Sequence, residues 1–390
     1  KGSENGGQNR RREEERERNG SEDDKREHLA MQQVKDQAPR TAGGGDAERD
    51  KYGFRCSVPG ETYQKWVIGY EREMSIRRDK WNELMKKSPG STFMKSKNLK
   101  KMVRNGLASS IRGHVWMHLS GAANKLDSCP MLYKQLSDES TWNGLSTEAN
   151  EALAQIELDL PRTFPDHPRF KMPKDADPPP DSLIPSLRRV LRAYARRNKQ
   201  VGYCQGLNFI AGLMLLFLRE DQAFWLLCVL IEDILPGDYY AQDLSGCNVD
   251  LRVFRDMLSK RLPKLWKHFQ EAGLGVEFFC LEWFIAIYAK TLPTETMLRV
   301  WDSIFLEGYK IIFRIGLGIL ELYEKQLLCI TEPHELFAAM QDLGKSLIDA
   351  DSLIKVSFGI QMKRTTVIAL REKHRSEVIA ERESRQVEKK

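Results

Sequence analysis

Apolar residues recur along most of the chain at the spacing of a helix face. In residues 66–84 they follow one another at intervals of three, four or seven, inside a strongly charged stretch. A second stripe in residues 183–194 has the same kind of spacing, with arginines around it. Both patterns predict amphipathic α-helices that bury one face. The two stripes consist of Trp66, Tyr70, Met74, Trp81 and Leu84, and of Leu183, Leu187, Val190, Leu191 and Tyr194.

Four longer apolar segments, 207–218, 224–235, 278–292 and 311–328, lack the strict two-residue alternation of a half-buried strand. Glycines and prolines separate them, and the sequence has no β-branched run bounded by hairpin turns. These segments therefore predict buried helices, and the chain as a whole predicts an all-α fold. The longest apolar run, 207–218, is shorter than the ~20 residues that a membrane-spanning helix needs.

Composition divides the chain into five segments. Residues 1–50 are rich in charge and glycine and poor in aliphatic side chains, which is typical of a disordered tail or of a regulatory docking arm. Residues 51–94 predict an N-terminal helical extension, 95–330 the main helical domain, and 331–370 C-terminal helices that pack on it. Residues 371–390 turn polar and charged again, and we expect a charged tail there.

Charge and cysteine content exclude several classes of function. The 61 basic and 55 acidic residues leave a net charge of only +6, so we expect no nucleic-acid partner. The seven cysteines are an odd number, widely spaced and without a C-x-x-C pair. This pattern argues against a disulfide framework and a structural zinc site, and it suits a reducing cytoplasm.

Two short motifs suggest chemistry that their surroundings do not support. The G-K-S triplet at 344–346 ends like a phosphate-binding loop, but Ala339 stands where that loop needs its first glycine. His114 and His118 have the spacing of two metal ligands on one helix face, but the glutamate of the H-E-x-x-H motif is absent. We expect structural roles for both motifs and no metal site.

Two polar motifs in the first half of the main domain are harder to attribute to packing. Arg112 and Trp116 form an R-x-x-x-W pattern. Ile156, Asp159 and Arg162 form I-x-x-D-x-x-R, in which the carboxylate lies one helical turn from the guanidinium and can hold it in place. The proline before the arginine predicts that Arg162 projects from a loop.

A third motif follows the apolar stripe at residues 183–194. Tyr203 and Gln205 form a Y-x-Q pattern, and the glutamine lies between Gly202 and Gly206. Glycines allow a backbone to approach a partner closely, so this loop predicts a contact site. Asn208 follows at the start of the next apolar segment.

Taken in order, these motifs resemble the TBC domain of Rab GTPase-activating proteins. Further segments at 224–225, 298–302 and 307–308 match the family in the same order. The resemblance covers roughly residues 95–330 and continues to about 370. It implies an all-helical, V-shaped domain whose groove receives a Rab-family small GTPase in its GTP-bound state.

The resemblance also implies roles for individual residues. Arg162 would be an arginine finger that compensates charge on the transferred phosphoryl group, and Gln205 a glutamine finger that orients the attacking water. Asp159 would hold Arg162 in position. Supporting roles are implied for Arg112, Trp116, Tyr203, Gly202 and Asn208, and scaffold roles for Ile156, Trp301 and Asp302.

The partner GTPase would carry GTP and magnesium, so the chain would need no cofactor of its own. We expect a monomeric cytoplasmic protein of vesicle trafficking, recruited to endomembranes by peripheral association at most. Three alternatives stay open. The chain could be a catalytically silent TBC scaffold that binds a Rab or another partner, or a helical structural protein without a GTPase partner. Separately, Arg112 could form a purely structural ion pair.

Overall fold

The fold is built from α-helices throughout the part of the chain that can be described. No named strand occurs in those ranges, where Arg49 and Arg55 form an isolated bridge, so the all-α prediction is confirmed. Residues 1–48, which carry nearly all of the expected disordered tail, lie outside the described residues. The computed structural model describes residues 49–87, 93, 96–141, 146–172, 178–241 and 243–388.

The α-helices of these ranges are numbered here in chain order. They are α1 (Gly60–Lys87), α2 (Lys97–Arg104), α3 (Ser109–Ser120), α4 (Ala122–Ser128), α5 (Leu132–Ser137), α6 (Thr147–Asp159), α7 (Ile184–Arg197), α8 (Leu207–Leu215), α9 (Glu220–Val229), α10 (Ser245–Arg261), α11 (Pro263–Glu271), α12 (Glu277–Ile285), α13 (Thr294–Glu307), α14 (Lys310–Leu328), α15 (Pro333–Asp342), α16 (Ala350–Gly359) and α17 (Arg364–Glu388). Single turns of 3-10 helix at Glu139–Thr141, Leu160–Arg162 and Pro168–Phe170, and a π-helical turn at Leu230–Ile234, complete the set.

Local sequence explains where several helices begin and end. The side chains of Ser96, Ser146 and Asp349 each accept a hydrogen bond from a backbone N–H in the first turn of α2, α6 and α16. Helices α11 and α15 begin with proline, which has no backbone N–H to leave unpaired. Gly121, with φ +86°, ends α3 in the left-handed conformation that glycine adopts without strain.

Helix α13 is the centre of the core. Every residue from Thr294 to Leu306 is buried, and the helix packs against α2, α3, α14 and α16. A helix that is buried all round is normally apolar, because polar side chains lose water there. Helix α13 nevertheless carries Glu295 and Asp302 into the interior, and both carboxylates need partners.

Arg112 is the shared partner of those two carboxylates. Its Nε lies 3.1 Å from Oδ1 of Asp302, and its Nη2 lies 2.8 Å from Oε1 of Glu295, with the arginine side chain fully buried. Trp116 donates its indole N–H to Asp302 over 2.8 Å, and the Tyr70 hydroxyl donates to Glu295 over 2.6 Å. These five residues are called the Arg112 cluster below.

The two carboxylates respond differently to this environment. Burial alone would raise the pKa of Glu295, but Arg112, Lys51 and the hydrogen bond from the Tyr52 hydroxyl outweigh it and hold the pKa at about 2. Burial raises the pKa of Asp302 in spite of its bonds to Arg112 and Trp116. Arg112 is thus a structural ion-pair residue inside the core, where it cannot touch a partner protein.

The C-terminal helix α17 differs from the expected charged tail at 371–390. Arg371 is buried, and its guanidinium bonds to Asp238 over 2.6 Å and also to Asp250 of α10. The Nε2 atom of His374 lies 2.8 Å from Asp256, and Val378 is buried beside them. The sequence pattern missed this face because Arg371 and His374 are polar residues whose acidic partners lie far away along the chain.

Two features of the described ranges bear on a membrane span and on a metal site. None of the helices there is both long and apolar enough to cross a bilayer. The rings of His114 and His118 lie 4.4 Å apart. No group of three or more histidine, cysteine, aspartate or glutamate side chains among the described residues could hold a metal ion.

The Arg112 cluster gives a prediction about stability. Arg112→Ala leaves two buried carboxylates without their cation, so we expect a loss of about 3–5 kcal/mol in the free energy of unfolding. Arg261→Ala is the control, because Arg261 and Glu321 form an ion pair with side chains 44% and 30% exposed and should contribute only about 0–1 kcal/mol. Urea unfolding followed by circular dichroism measures both. Equal losses in the two variants would show that the buried ion pairs of Arg112 contribute no more to stability than an exposed ion pair does.

Candidate functional site

Arg162 is exposed because of how α6 ends. The helix stops at Asp159, and the chain continues as one turn of 3-10 helix over Leu160–Arg162 with Pro161 at its second position. Leu160 is buried, whereas the side chain of Arg162 is 68% exposed. The proline thus separates a buried helix end from a solvent-facing guanidinium, as the sequence predicted.

Asp159 attracts Arg162 without fixing it in place. The carboxylate is buried, and its Oδ1 lies 3.8 Å from Nη1 of Arg162, which is too long for a hydrogen bond. Its Oδ2 accepts a 2.9 Å hydrogen bond from the Tyr203 hydroxyl, while Oδ1 has no hydrogen-bond partner. The guanidinium is therefore attracted to Asp159 by charge and is not fixed by a hydrogen bond from it.

Gln205 is exposed on a turn that two glycines shape. Gly202 has φ +58° and Gly206 has φ +111°, and the second value lies in a region that L-residues rarely occupy. A Cβ atom on Gly206 would lie 2.5 Å from Cγ2 of Ile285, so the turn also packs directly on the end of α12. This close contact, together with the backbone conformation, explains why a glycine follows Gln205.

Hydrogen bonds join the Arg162 turn to the Gln205 turn. Thr163 donates its hydroxyl to the carbonyl oxygen of Asp159 over 2.8 Å and accepts from Nδ2 of Asn208, also over 2.8 Å. The backbone N–H of Gly206 donates to Oδ1 of Asn208 over 3.1 Å. Asn208 therefore bonds to both turns.

Tyr203 completes this network from the glutamine side. Burial raises the pKa of its hydroxyl above the ordinary value, and the charge of Asp159 raises it further. The hydroxyl therefore keeps its proton and remains a donor to Asp159. The four residues Asp159, Thr163, Tyr203 and Asn208 are called the Asp159 network below.

Two outer layers hold the network in place. On one side, Glu157 of α6 forms ion pairs of 2.9 Å with Arg188 and Arg192 of α7, and Ile156 beside it is buried. The basic face that α7 shows in the sequence is thus partly used to fix the helix that carries Asp159.

On the other side, Trp301 donates its indole N–H to the carbonyl oxygen of Ile287 over 2.9 Å. Ile287 and Tyr288 both have positive φ and follow the α12 end against which Gly206 packs. The tryptophan thereby braces the strained turn that follows the helix end on which Gly206 packs. Asp302, one residue on, belongs to the Arg112 cluster and not to this layer.

Sequence reasoning missed several residues of this region. Thr163 is buried and bonds to both Asp159 and Asn208, although its position after Arg162 gave no signal. The segment 49–55 also contacts the chain that follows Arg162, through His167 and the carbonyl oxygen of Asp166. The available signal in that segment was its pair of closely spaced aromatic residues, Tyr52 and Phe54.

The two glycines of the Gln205 turn give a matched prediction. Gly206→Ala combines an unfavourable φ with a Cβ placed against Ile285, so we expect a loss of roughly 3–5 kcal/mol in the free energy of unfolding. Gly202→Ala needs only a left-handed backbone, and its Cβ would lie 3.7 Å from Ala152, so about 1–2 kcal/mol is expected. Thermal and urea unfolding of both variants test the order. If the Gly202 variant were as unstable as the Gly206 variant, the close contact between residue 206 and Ile285 would not be the cause of the larger loss.

These features define a helical domain that presents a guanidinium and an amide from two linked turns, and comparison with known proteins assigns its family. A sequence model of the Rab-GTPase-TBC domain matches residues 109–328, more than half of the chain and including both turns. The chain therefore belongs to the Rab-GTPase-TBC domain family, as its motifs indicated.

Relatives of known name agree with this assignment. Growth hormone-regulated TBC protein 1 of Xenopus tropicalis is 33% identical over 354 residues, which cover 89% of this chain and 99% of that protein. The GTPase-activating protein MSB4 of Saccharomyces cerevisiae is 34% identical over 313 residues, covering 72% of this chain and 63% of that one.

Solved structures show the same fold. The flagellar RabGAP TBC domain of Chlamydomonas is 31% identical, with a TM-score of 0.66 over 80% of this chain and 99% of that one. The Ypt/Rab-GAP domain of Gyp1p is 18% identical, with a TM-score of 0.60 over 77% and 99% of the two chains. At that lower identity the second likeness concerns the fold alone.

Proposed function

We propose that this protein is a GTPase-activating protein that accelerates GTP hydrolysis by a Rab-family small GTPase, with Arg162 and Gln205 supplied in trans. The observation that carries the proposal is the Asp159 network. Its buried and partly buried hydrogen bonds link the turn of the exposed Arg162 to the turn of the exposed Gln205, within the span that matches the Rab-GTPase-TBC domain. Relatives named as GTPase-activating protein and RabGAP support the same activity.

Arg162 has the properties that phosphoryl transfer demands. Hydrolysis by a GTPase alone is slow because charge that develops on the transferred phosphoryl group is incompletely compensated, and an arginine supplied in trans contributes 10³–10⁵ in rate. A guanidinium is always protonated and can bind two oxygens at once. In this structure it is largely exposed, with a carboxylate 3.8 Å away that guides it without a hydrogen bond.

Gln205 supplies the complementary group. A side-chain amide can accept a hydrogen bond from water and donate one to a phosphate oxygen, so it can orient the attacking water. Its turn is fixed by Gly206 and Asn208 below it, which leaves the exposed side chain as the movable part. A backbone that is already fixed loses little further entropy when the partner docks, so only the side chain has to be ordered.

The partner completes the reaction centre in this proposal. GTP and magnesium belong to the Rab in its GTP-bound state, and this chain supplies side chains and no cofactor. We place the protein in the cytoplasm as a monomer of vesicle trafficking that reaches endomembranes through peripheral contacts at most. The competing function is a TBC scaffold that binds a Rab without accelerating hydrolysis, and the following measurements separate the two.

The arginine assignment predicts a loss in rate without a loss in binding. Arg162→Ala and Arg162→Lys should both lower the stimulated hydrolysis rate by roughly 10²-fold or more, or about 3 kcal/mol of transition-state stabilisation. Lysine should rescue little because it loses the planar fork. Asp159→Asn should cost less, since Arg162 remains present but less well guided. Phosphate release from a panel of Rabs, alongside binding to a responsive Rab locked with a GTP analogue, provides the measurement.

Arg219→Ala is the matched control for this experiment, because that arginine is 60% exposed and lies on a different turn. It should leave the rate unchanged. Full activity of Arg162→Lys, or a defect confined to binding, would make Arg162 a docking residue. Absence of stimulation by the unaltered protein across the whole Rab panel would favour the scaffold.

The glutamine assignment predicts a second, independent pattern. Gln205→Ala should lower the stimulated rate strongly while binding to the GTP-locked Rab stays nearly unchanged, because the substitution removes one water-orienting amide. Replacing the Rab's own switch glutamine by alanine should be tolerated in the presence of the activator. The reverse outcome, a mild Gln205→Ala variant and a Rab glutamine that is essential, would assign water orientation to the Rab.

A further inference from the structure

A short segment ahead of the matched domain forms a self-bonded turn. The carboxylate of Asp50 accepts hydrogen bonds from the backbone N–H groups of Tyr52 and Phe54, both 2.9 Å long. The N–H of Asp50 donates to the carbonyl oxygen of Phe54 over 2.7 Å, and Gly53 has φ +96°. The segment Arg49–Phe54, called the N-terminal strap below, therefore has a defined conformation of its own.

The strap is tied to the core through Tyr52. The tyrosine hydroxyl donates to Glu295 and accepts from Nη1 of Arg112 over 2.9 Å. The hydroxyl of Ser109 on α3 lies 3.1 Å away. Burial raises the pKa of Tyr52 well above its ordinary value, with Glu295 adding to the effect, so the hydroxyl stays a donor. The strap is thus anchored in the Arg112 cluster.

From this anchor the strap contacts the chain just beyond Arg162. The carbonyl oxygen of Tyr52 lies 2.7 Å from Nε2 of His167. Nη1 of Arg49 donates to the carbonyl oxygen of Asp166 over 2.7 Å. The ring of Phe54 meets that of Phe164 edge to face, with centroids 5.0 Å apart. Three residues of the strap therefore contact residues that lie two, four and five positions after Arg162.

The surroundings of His167 define both its tautomer and its charge state. Nδ1 accepts from the backbone N–H of Arg169 over 3.2 Å, so the proton of the neutral ring lies on Nε2 and is donated to Tyr52. Burial lowers the pKa of His167 to about 4 in spite of the bond to Tyr52, so the ring is neutral at physiological pH. His167 is a permanent donor to the strap under those conditions.

The loop that receives these contacts is strained at Phe164. This bulky residue has φ +47°, an unfavourable conformation that persists only when its surroundings enforce it. The rings of Phe54, Phe170 and Phe209 surround it at centroid distances of 5.0, 5.5 and 5.2 Å. One of the three enforcing rings therefore comes from the strap, and Arg162 lies two residues before the strained position.

We infer that the N-terminal strap positions Arg162 for catalysis, with Tyr52 and His167 as positioning residues that act through the loop 163–167. The inference rests on the proposed function. The strap lies outside the span 109–328 that matches the Rab-GTPase-TBC domain, so the catalytic unit of this protein extends beyond that domain to at least Arg49. A displacement of the arginine by about 1 Å can cost about 10²-fold in rate, which makes such a support consequential.

The test uses point variants of the full chain in single-turnover GTP hydrolysis with a responsive Rab, at increasing concentrations of activator. Gly53→Ala is the strap variant, because its Cβ would lie 2.8 Å from Nε2 of His167. His167→Ala removes the donor, and His167→Gln retains an amide N–H that can reach Tyr52. Leu353→Ala is a buried stability control on α16, a helix that packs mainly against α13 and α14.

We expect Gly53→Ala and His167→Ala to lower the maximal rate roughly 10-fold or more, with the half-saturating activator concentration unchanged within about twofold. His167→Gln should recover most of the rate, and Leu353→Ala should retain it at a temperature where all variants are folded. If Gly53→Ala does not fold, Arg49→Ala takes its place, because that side chain contacts the loop from the surface.

The outcomes separate this inference from the proposed function. An unchanged maximal rate in His167→Ala, while Arg162→Ala is inactive, overturns the strap and leaves the function standing. A change confined to the half-saturating concentration overturns it as well, because the strap would then serve docking. Equal losses of maximal rate in His167→Ala, His167→Gln and Leu353→Ala would also overturn it, because the losses would then reflect reduced stability and not the position of Arg162. Full activity in Arg162→Ala would instead overturn the proposed function itself.

Discussion

The buried charge of Arg112 is the constraint on which the rest of the fold depends. A guanidinium without water needs compensating charge, and here two carboxylates 183 and 190 residues further along the chain provide it. Helices α1, α3 and α13 must therefore meet at one point, with Tyr70 and Trp116 filling the remaining hydrogen-bonding positions. Apolar packing alone would allow these helices to shift, whereas a directional charge cluster admits one arrangement.

Both turns of the candidate site are connected to the helices that the Arg112 cluster joins. Trp301, one residue before Asp302 on α13, braces the strained turn on which the Gln205 turn packs. Tyr52 joins the cluster to the loop that follows Arg162. The two exposed side chains thus extend from backbones that the same buried helix holds, which combines a rigid frame with mobile tips.

The boundary of the family domain does not coincide with the boundary of the folded unit. The matched span ends at 328, yet α17 buries Arg371 and His374 against acidic partners on and near α10. The strap and α1 extend the core at the other end. Ion pairs and hydrogen bonds from both outlying segments join them to the matched domain, so polar contacts extend the folded unit at each end.

The sequence by itself determined the helical class, since apolar spacing follows directly from 3.6 residues per turn, and its ordered motifs indicated the family and the exposed Arg162 and Gln205. Only the tertiary structure decided which charged residues are buried. Arg112 and Arg371 look the same in the sequence as a solvated arginine, because the partners that neutralise them lie more than a hundred residues away. Periodicity reports local geometry, whereas the burial of a charge depends on long-range pairing that no local pattern contains.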